Sequence, residues 1–245
     1  GEVVLQLHGG GYIAKIRNAY RDFAVRYSKI DQYRVLSVDY RVAPQHPYPA
    51  ALEDTIAAYH WLLEQGYPAE KIVVAGDSAG GGLALALCLW LKNHKEPLPS
   101  GVIAMSPWTD LTISGESVET NFEKDPLFGK TRDSMLYNKD YLGENDPTNE
   151  YISPLFGDYE GFPPLLIQVG SYEMLLSDST RVAKKAKEAG GKVKLSIYEG
   201  MFHVFQMAML LMPESKKAWA EIKRFLHYLD TEENEMQNIS KEEKA

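Results

Sequence analysis

Cysteine is almost absent: Cys88 is the only one in 245 residues. A single cysteine forms no disulfide within the chain and cannot build a cysteine-based zinc site. Disulfide-stapled scaffolds are therefore excluded, and a reducing, cytoplasmic compartment fits. No run of residues is apolar for long enough to cross a bilayer. The first residues carry no leader-peptide pattern either. Positive charge is also scarce. Lys and Arg number 26 against 34 Asp and Glu, a net −8, whereas nucleic-acid binders carry a basic face. A starting Met is missing as well, and Gly1 leads straight into an apolar run. The expectation is that the natural N-terminus lies upstream, together with any targeting signal.

What is present is a globular composition, 44% hydrophobic, enough to bury one large core. Short β-branched runs alternate with helical patterns, which predicts βαβ units and a mainly parallel sheet. Strands are expected at Val3 to Leu7, Val35 to Val38, Ile72 to Ala75, Val102 to Met105, Leu165 to Val169 and Val193 to Tyr198. Helices are expected around Tyr20 to Tyr27, Pro49 to Leu63, Leu83 to Leu91 and Ala218 to Leu229. Leu83 to Leu91 is apolar on every side, as a helix in the middle of a domain must be. One domain therefore spans 1–230. From 231 to 245 the chain is polar, with five Glu against two Lys, and reads as a disordered tail. The stretch from Met105 to Leu165 holds no strand pattern, two Asp-Pro breaks and a helix candidate around Asp133 to Tyr141. Insertions of this length in compact domains often cover a site, and the segment at about 111–152 reads as a small cap.

Gly76-Asp77-Ser78-Ala79-Gly80-Gly81 lies between an expected strand and an expected helix. That is the context a G-x-S-x-G nucleophile turn requires. The turn is sharp, and side chains at Gly76 and Gly80 would collide with neighbouring backbone. Ser78 is thereby lifted to the top of the sheet, at a helix N-terminus that favours negative charge. His8-Gly9-Gly10-Gly11 ends the first strand. Three glycines let backbone N–H groups approach a ligand, and in this arrangement they pair with the N–H of the residue after the nucleophile, Ala79. His8 itself reads as a loop-shaping residue.

A base must follow Ser78 in the order Ser, acid, His. Of the six histidines only His203 and His227 come late enough. His227 falls on the polar side of the terminal helix. His203 follows the carboxyl end of a strand, where α/β sites assemble. For the acid, Glu173 and Asp178 both follow the strand ending at Val169. Glu173 is nearer the strand end, while Asp178 suits the first turn of the next helix.

These motifs, with Asp39-Tyr40-Arg41-Val42-Ala43-Pro44 and Ser106-Pro107-Trp108-Thr109-Asp110-Leu111, resemble the hormone-sensitive-lipase-like (family IV) bacterial esterases over roughly Val3 to Leu229. The resemblance implies an α/β-hydrolase fold, with helices on both faces of a mainly parallel sheet. It implies Ser78 and His203 as catalytic, Gly10, Gly11 and Ala79 as oxyanion donors, and the acid at Glu173, where such esterases more often carry Asp. Asp39, Arg41 and Asp110 would be scaffold. The implied reaction is acyl transfer to water from small, short-chain esters, needing no metal or organic cofactor, with no membrane or nucleic-acid partner and with room for a homodimer. A deacetylase of acetylated sugars or an amidase would use the same triad. A non-catalytic reading is offered by the plant gibberellin receptors, which resemble this family but lack a working triad. One departure stands out. Such esterases carry two more strands and a helical cap segment before the His-Gly-Gly-Gly strand. Without them, Val35 to Val38 would be an open edge and the pocket would lack part of its roof.

Overall fold

The computed structural model describes residues 1–242 except 31, 32 and 132, with the helix backbone alone from 232. In chain order the elements are β1 (Val3–Leu7), α1 (Ala19–Ser28), β2 (Arg34–Val38), α2 (Ala50–Glu64), β3 (Ile72–Asp77), α3 (Ala79–Asn93), β4 (Gly101–Met105), α4 (Ser117–Thr120), β5 (Leu165–Gly170), α5 (Leu176–Glu188), β6 (Val193–Tyr198) and α6 (Pro213–Glu242). The strands form one sheet in the order β2-β1-β3-β4-β5-β6, and every pairing is parallel.

The sequence dictates this layering. β1, β3, β4 and β5 are buried along their whole length, because strands covered on both faces need apolar residues at every position. β2 and β6, at the two edges, are only partly covered. Alternate residues feed two cores. Val3, Leu5, Ile72, Val74, Val102 and Ile167 face α2, α3 and α5. Val4, Val73, Ile103 and Leu166 face α1 and α6. Each fully buried Val or Leu stabilises by about 1.5–3 kcal/mol. α3 is buried without interruption from Ala79 to Leu89, as its all-apolar surface demands. On the other face, Phe23 and Tyr27 of α1 meet Trp219 of α6 edge-on, at 5.3 and 5.2 Å between ring centroids.

The 106–164 stretch contains α4 and short 3-10 turns at Met135–Tyr137 and Pro154–Phe156. The helix expected around Asp133 to Tyr141 is therefore not formed beyond that single turn. Tyr141 instead stacks on Tyr12 at 3.7 Å, and its carbonyl accepts the Tyr48 N–H at 2.9 Å. The tail expected at 231–245 overlaps the end of α6. Its backbone continues helical to Glu242, while the side chains from 232 and residues 243–245 lie outside those described.

Candidate active site

Ser78 sits between β3 and α3 with φ 54° and ψ −122°. A non-glycine residue in this region stores about 1–3 kcal/mol of strain. Neighbouring strands hold it there. The Ser78 N–H donates to the Met105 carbonyl at 2.9 Å, and the Ser78 carbonyl accepts from Trp108 N–H at 2.9 Å. The glycines are obligatory for steric reasons. A Cβ on Gly76 would lie 2.2 Å from the Gly80 carbonyl oxygen, and one on Gly80 would lie 2.2 Å from that of Leu7.

His203 follows β6, on a loop that packs against the end of β5. A Cβ on Gly170 would meet the Met201 carbonyl oxygen at 2.2 Å. The Ser78 hydroxyl donates to His203 Nε2 at 2.9 Å. On the far side of the ring, Nδ1–H donates to Glu173 Oε2 at 2.9 Å. The other carboxylate oxygen of Glu173 accepts from the Ser106 hydroxyl and from Gly170 N–H, both at 2.6 Å. Ser106 in turn accepts the Val204 N–H at 3.1 Å, so one hydroxyl links the Glu173 carboxylate to the backbone beside His203. Glu173 is fully buried, and Ser78 and His203 are each 7% exposed. Asp178, the other acid candidate, lies in the first turn of α5 and accepts the N–H groups of Thr109 and Asp110 at 2.7 and 2.9 Å. It ties α5 to the loop after β4, and burial pushes its carboxyl up to about 7. His227 is exposed on α6.

The glycine loop after β1 lies directly over the nucleophile turn. A Cβ on Gly9 would stand 3.1 Å from Ser78 Cβ. Gly10, Gly11 and Tyr12 follow with φ of 121°, 63° and 61°. Among the described residues, no protein acceptor is recorded for the N–H groups of Gly10, Gly11 or Ala79. His8 is buried and stacks on Tyr40 at 4.1 Å. Its Nδ1–H donates to the Gly9 carbonyl at 2.7 Å, which suits loop shaping. Asp39 accepts the Ile16 N–H at 3.2 Å, Arg41 pairs with Asp54 at 2.8 Å, and Asp110 pairs with Arg181 at 2.8 Å.

The 106–164 stretch closes around these groups. The Phe128 ring lies 4.6 Å from that of His203, and the Met135 sulfur lies 3.1 Å from where a Cβ on Gly11 would be. The Asn121 amide donates to the Glu173 carbonyl at 2.8 Å, and Asp125 accepts the Met174 N–H at 2.8 Å. Sequence reasoning gave no role to Ser106, Asn121 or Phe128. Only Ser106 had a signal, its place directly after a central strand. Among the described residues, no cluster of His, Cys, Asp and Glu could hold a metal ion, and no helix is long and apolar enough to cross a membrane.

A family model described as alpha/beta hydrolase fold matches residues 4–207. An esterase of Acinetobacter venetianus is 41% identical over 94% of this chain and 76% of its own length. An acetyl-hydrolase of Streptomyces hygroscopicus is 39% identical over 89% of this chain and 73% of its own. The crystal structure of an esterase from the bacterial hormone-sensitive lipase family superposes with a TM-score of 0.88, at 42% identity, over 93% of this chain and 76% of that one.

Proposed function

The chain belongs to the α/β-hydrolase-fold family, among its hormone-sensitive-lipase-like esterases, and on that premise we propose that it hydrolyses short-chain carboxylic esters through Ser78, His203 and Glu173. The observation that carries the reading is the continuous line of hydrogen bonds from Ser78 Oγ through the imidazole to Glu173, each at 2.9 Å. A carboxylate can only accept, so it keeps the proton on Nδ1 and leaves Nε2 as the acceptor facing Ser78.

Ser78 Oγ attacks the ester carbonyl carbon while its proton passes to His203 Nε2. The carbonyl oxygen becomes an oxyanion and takes hydrogen bonds from the N–H groups of Gly10, Gly11 and Ala79. Each such donor is worth about 10²–10³ in rate. The tetrahedral intermediate collapses, the C–O bond to the alcohol breaks, and the alcohol leaves with the proton from His203. Water then attacks the acyl-serine with His203 again as base, and the acid leaves with Ser78 restored. Glu173 stays ionised and stabilises the imidazolium. Phe128 and Met135, from the 111–152 segment that we assign as cap, crowd the reacting carbonyl and favour small acyl groups. The name of the Streptomyces relative agrees with the acetyl end of that range.

The test is hydrolysis of p-nitrophenyl acetate, butyrate, octanoate and palmitate by the native chain and by Ser78→Ala. Turnover of acetate and butyrate, falling steeply by octanoate, is expected. Ser78→Ala should lose on the order of 10⁶-fold. A folded native chain no faster than Ser78→Ala on every ester would overturn the assignment. Equal rates on butyrate and palmitate would overturn the short-chain part alone.

A further inference from the structure

The residue before the nucleophile, Asp77, is 2% exposed, and no Lys or Arg pairs with it among the described residues. Taking a carboxylate out of water without a cation is costly unless fixed donors replace the water. The main side-chain donor is Tyr20, at the start of α1, whose hydroxyl donates a hydrogen bond to Asp77 Oδ2 at 3.0 Å. The same hydroxyl oxygen accepts the Gly9 N–H at 2.8 Å. Tyr20 is itself anchored, because its carbonyl accepts the Gln6 side-chain amide at 3.0 Å. Gly9 meets the carboxylate directly, since a Cβ there would lie 2.4 Å from Asp77 Oδ2. Burial pushes the Asp77 carboxyl up to about 6, against the Tyr20 hydrogen bond that holds it down.

Tyrosine has one proton to give. With that proton committed to Asp77, the hydroxyl's lone pairs face Gly9. Gly9 is the residue just before the two glycines assigned as oxyanion donors. Gly10 and Gly11 have φ of 121° and 63° and no side chains to hold them; the Gly10 carbonyl accepts the Ile13 and Ala14 N–H groups at 3.1 and 3.0 Å, and the rest of the segment is fixed from its neighbours. Tyr12 fixes the far end, where its carbonyl accepts the Ala43 N–H at 2.8 Å. The near end is fixed at Gly9.

We propose that Asp77 and Tyr20 are positioning residues for the oxyanion hole: the carboxylate beside the nucleophile orients the Tyr20 hydroxyl, which holds the Gly9 N–H and so sets the Gly10 and Gly11 amides at the distance the tetrahedral intermediate needs. The assignment rests on the esterase reading. It joins the nucleophile turn and the glycine loop into one unit, so that the oxyanion site stays in register with the serine it serves. Neither residue touches substrate. Their effect falls on the transition state, where the oxyanion forms, and not on ester binding.

Tyr20→Phe isolates the effect, because it removes one oxygen and leaves the charge of Asp77 in place. The expected result on p-nitrophenyl acetate is a kcat lowered about 10- to 100-fold, the size of a misplaced rather than a deleted donor. KM should stay within twofold. Inhibition by a trifluoromethyl ketone, whose adduct with Ser78 carries an oxyanion, should weaken by the same factor. Asp77→Asn keeps an oxygen that accepts from Tyr20 and should lose less than Asp77→Ala. A Tyr20→Phe protein with native kcat and native ketone inhibition overturns the proposal, as does a loss confined to KM. Should Tyr20→Phe not fold, an Asp77→Ala protein no slower than Asp77→Asn overturns it equally. The parent is checked alongside for turnover and for covalent labelling of Ser78 by a fluorophosphonate. A parent that fails both brings down the esterase reading and this assignment with it, whereas an active parent beside an indistinguishable Tyr20→Phe brings down the assignment alone.

Discussion

Glu173 receives hydrogen bonds from three sides, from His203, Ser106 and Gly170, and every one of its partners is a donor. An amide in its place cannot satisfy them all. In Glu173→Gln the amide oxygen can stay with Ser106 and Gly170 only if its NH₂ group faces His203. That reverses the imidazole, puts the proton on Nε2 and removes the acceptor Ser78 needs. We expect kcat to fall about 10⁴-fold with the fold intact, measured as kcat on p-nitrophenyl acetate beside a circular dichroism spectrum; a loss under tenfold would mean that the carboxylate does not set the tautomer. Glu173→Asp, one methylene shorter, should fall between the two. Glu173 and His203 were legible because their order along the chain and their places after strand ends are constrained. Ser106 and Tyr20 were not. Their partners lie 67 and 57 positions away, and no local pattern encodes a contact that only the closed sheet creates.

At the scale of elements, β3 and α3 are joined through Ser78 alone, and the start of α3 packs tightly against the end of β1. The glycines keep the distance. Gly80 is the sharpest case, since a methyl there would stand 2.2 Å from the Leu7 oxygen and 2.5 Å from that of His8. Both are backbone atoms that cannot swing aside, and they precede the glycine loop. Gly80→Ala should therefore destabilise by about 3 kcal/mol or more and lower kcat together with it, because relief comes only by pushing the glycine loop off the nucleophile. Urea unfolding with parallel kinetics checks this, and a variant of native stability would show that the turn has slack. The strands and main helices were legible from apolar runs and turn residues. Most ends match or move by a few residues in the structure, but α6 runs on to Glu242, well past the expected Leu229. The helix expected around Asp133 to Tyr141 was not, for a physical reason. Asp140 N–H goes to the Asn138 side chain at 2.8 Å, and Asp133 N–H to the Thr131 hydroxyl at 3.1 Å. Side chains that bond nearby backbone compete with a helix ladder, and the buried Leu136 and Tyr141 are drawn towards the core and the Tyr12 ring.

Across the whole molecule, the proposed site is gathered at one end of the sheet. The segments just beyond β1, β3, β4, β5 and β6 supply the glycine loop, Ser78, Ser106, Glu173 and His203. A parallel sheet does this by construction, because all its carboxyl ends point the same way. The cost is that charged groups are buried there, and stability should depend on pH accordingly. Burial raises two carboxyls at this end, Asp77 to about 6 and Asp178 to about 7, from the usual 3.8. Between the unfolded and folded values, the folded chain holds a proton that the unfolded chain has released. Stability then falls as pH rises, by up to about 1.4 kcal/mol per pH unit for each proton. Their contribution is complete below about pH 4 and is lost once pH passes 6 for Asp77 and 7 for Asp178. Carboxyls held low, such as Asp54 and Asp110, act in the opposite sense but only at more acid pH, outside that window, and the imidazole of His8, held low by burial, offsets part of the fall as pH rises through the ordinary histidine range. The melting temperature should accordingly drop by several degrees between pH 5 and pH 8. Asp178→Asn removes one of the two titrations while its amide oxygen still accepts from Thr109 and Asp110. Its melting temperature should change less across the same range, while Ser78, His203 and Glu173 are left untouched. Thermal melts of both proteins at half-unit pH steps decide the matter: a parent curve that is flat or rising from pH 5 to 8 would mean that the donors around Asp77 and Asp178 fully replace the water those carboxylates gave up.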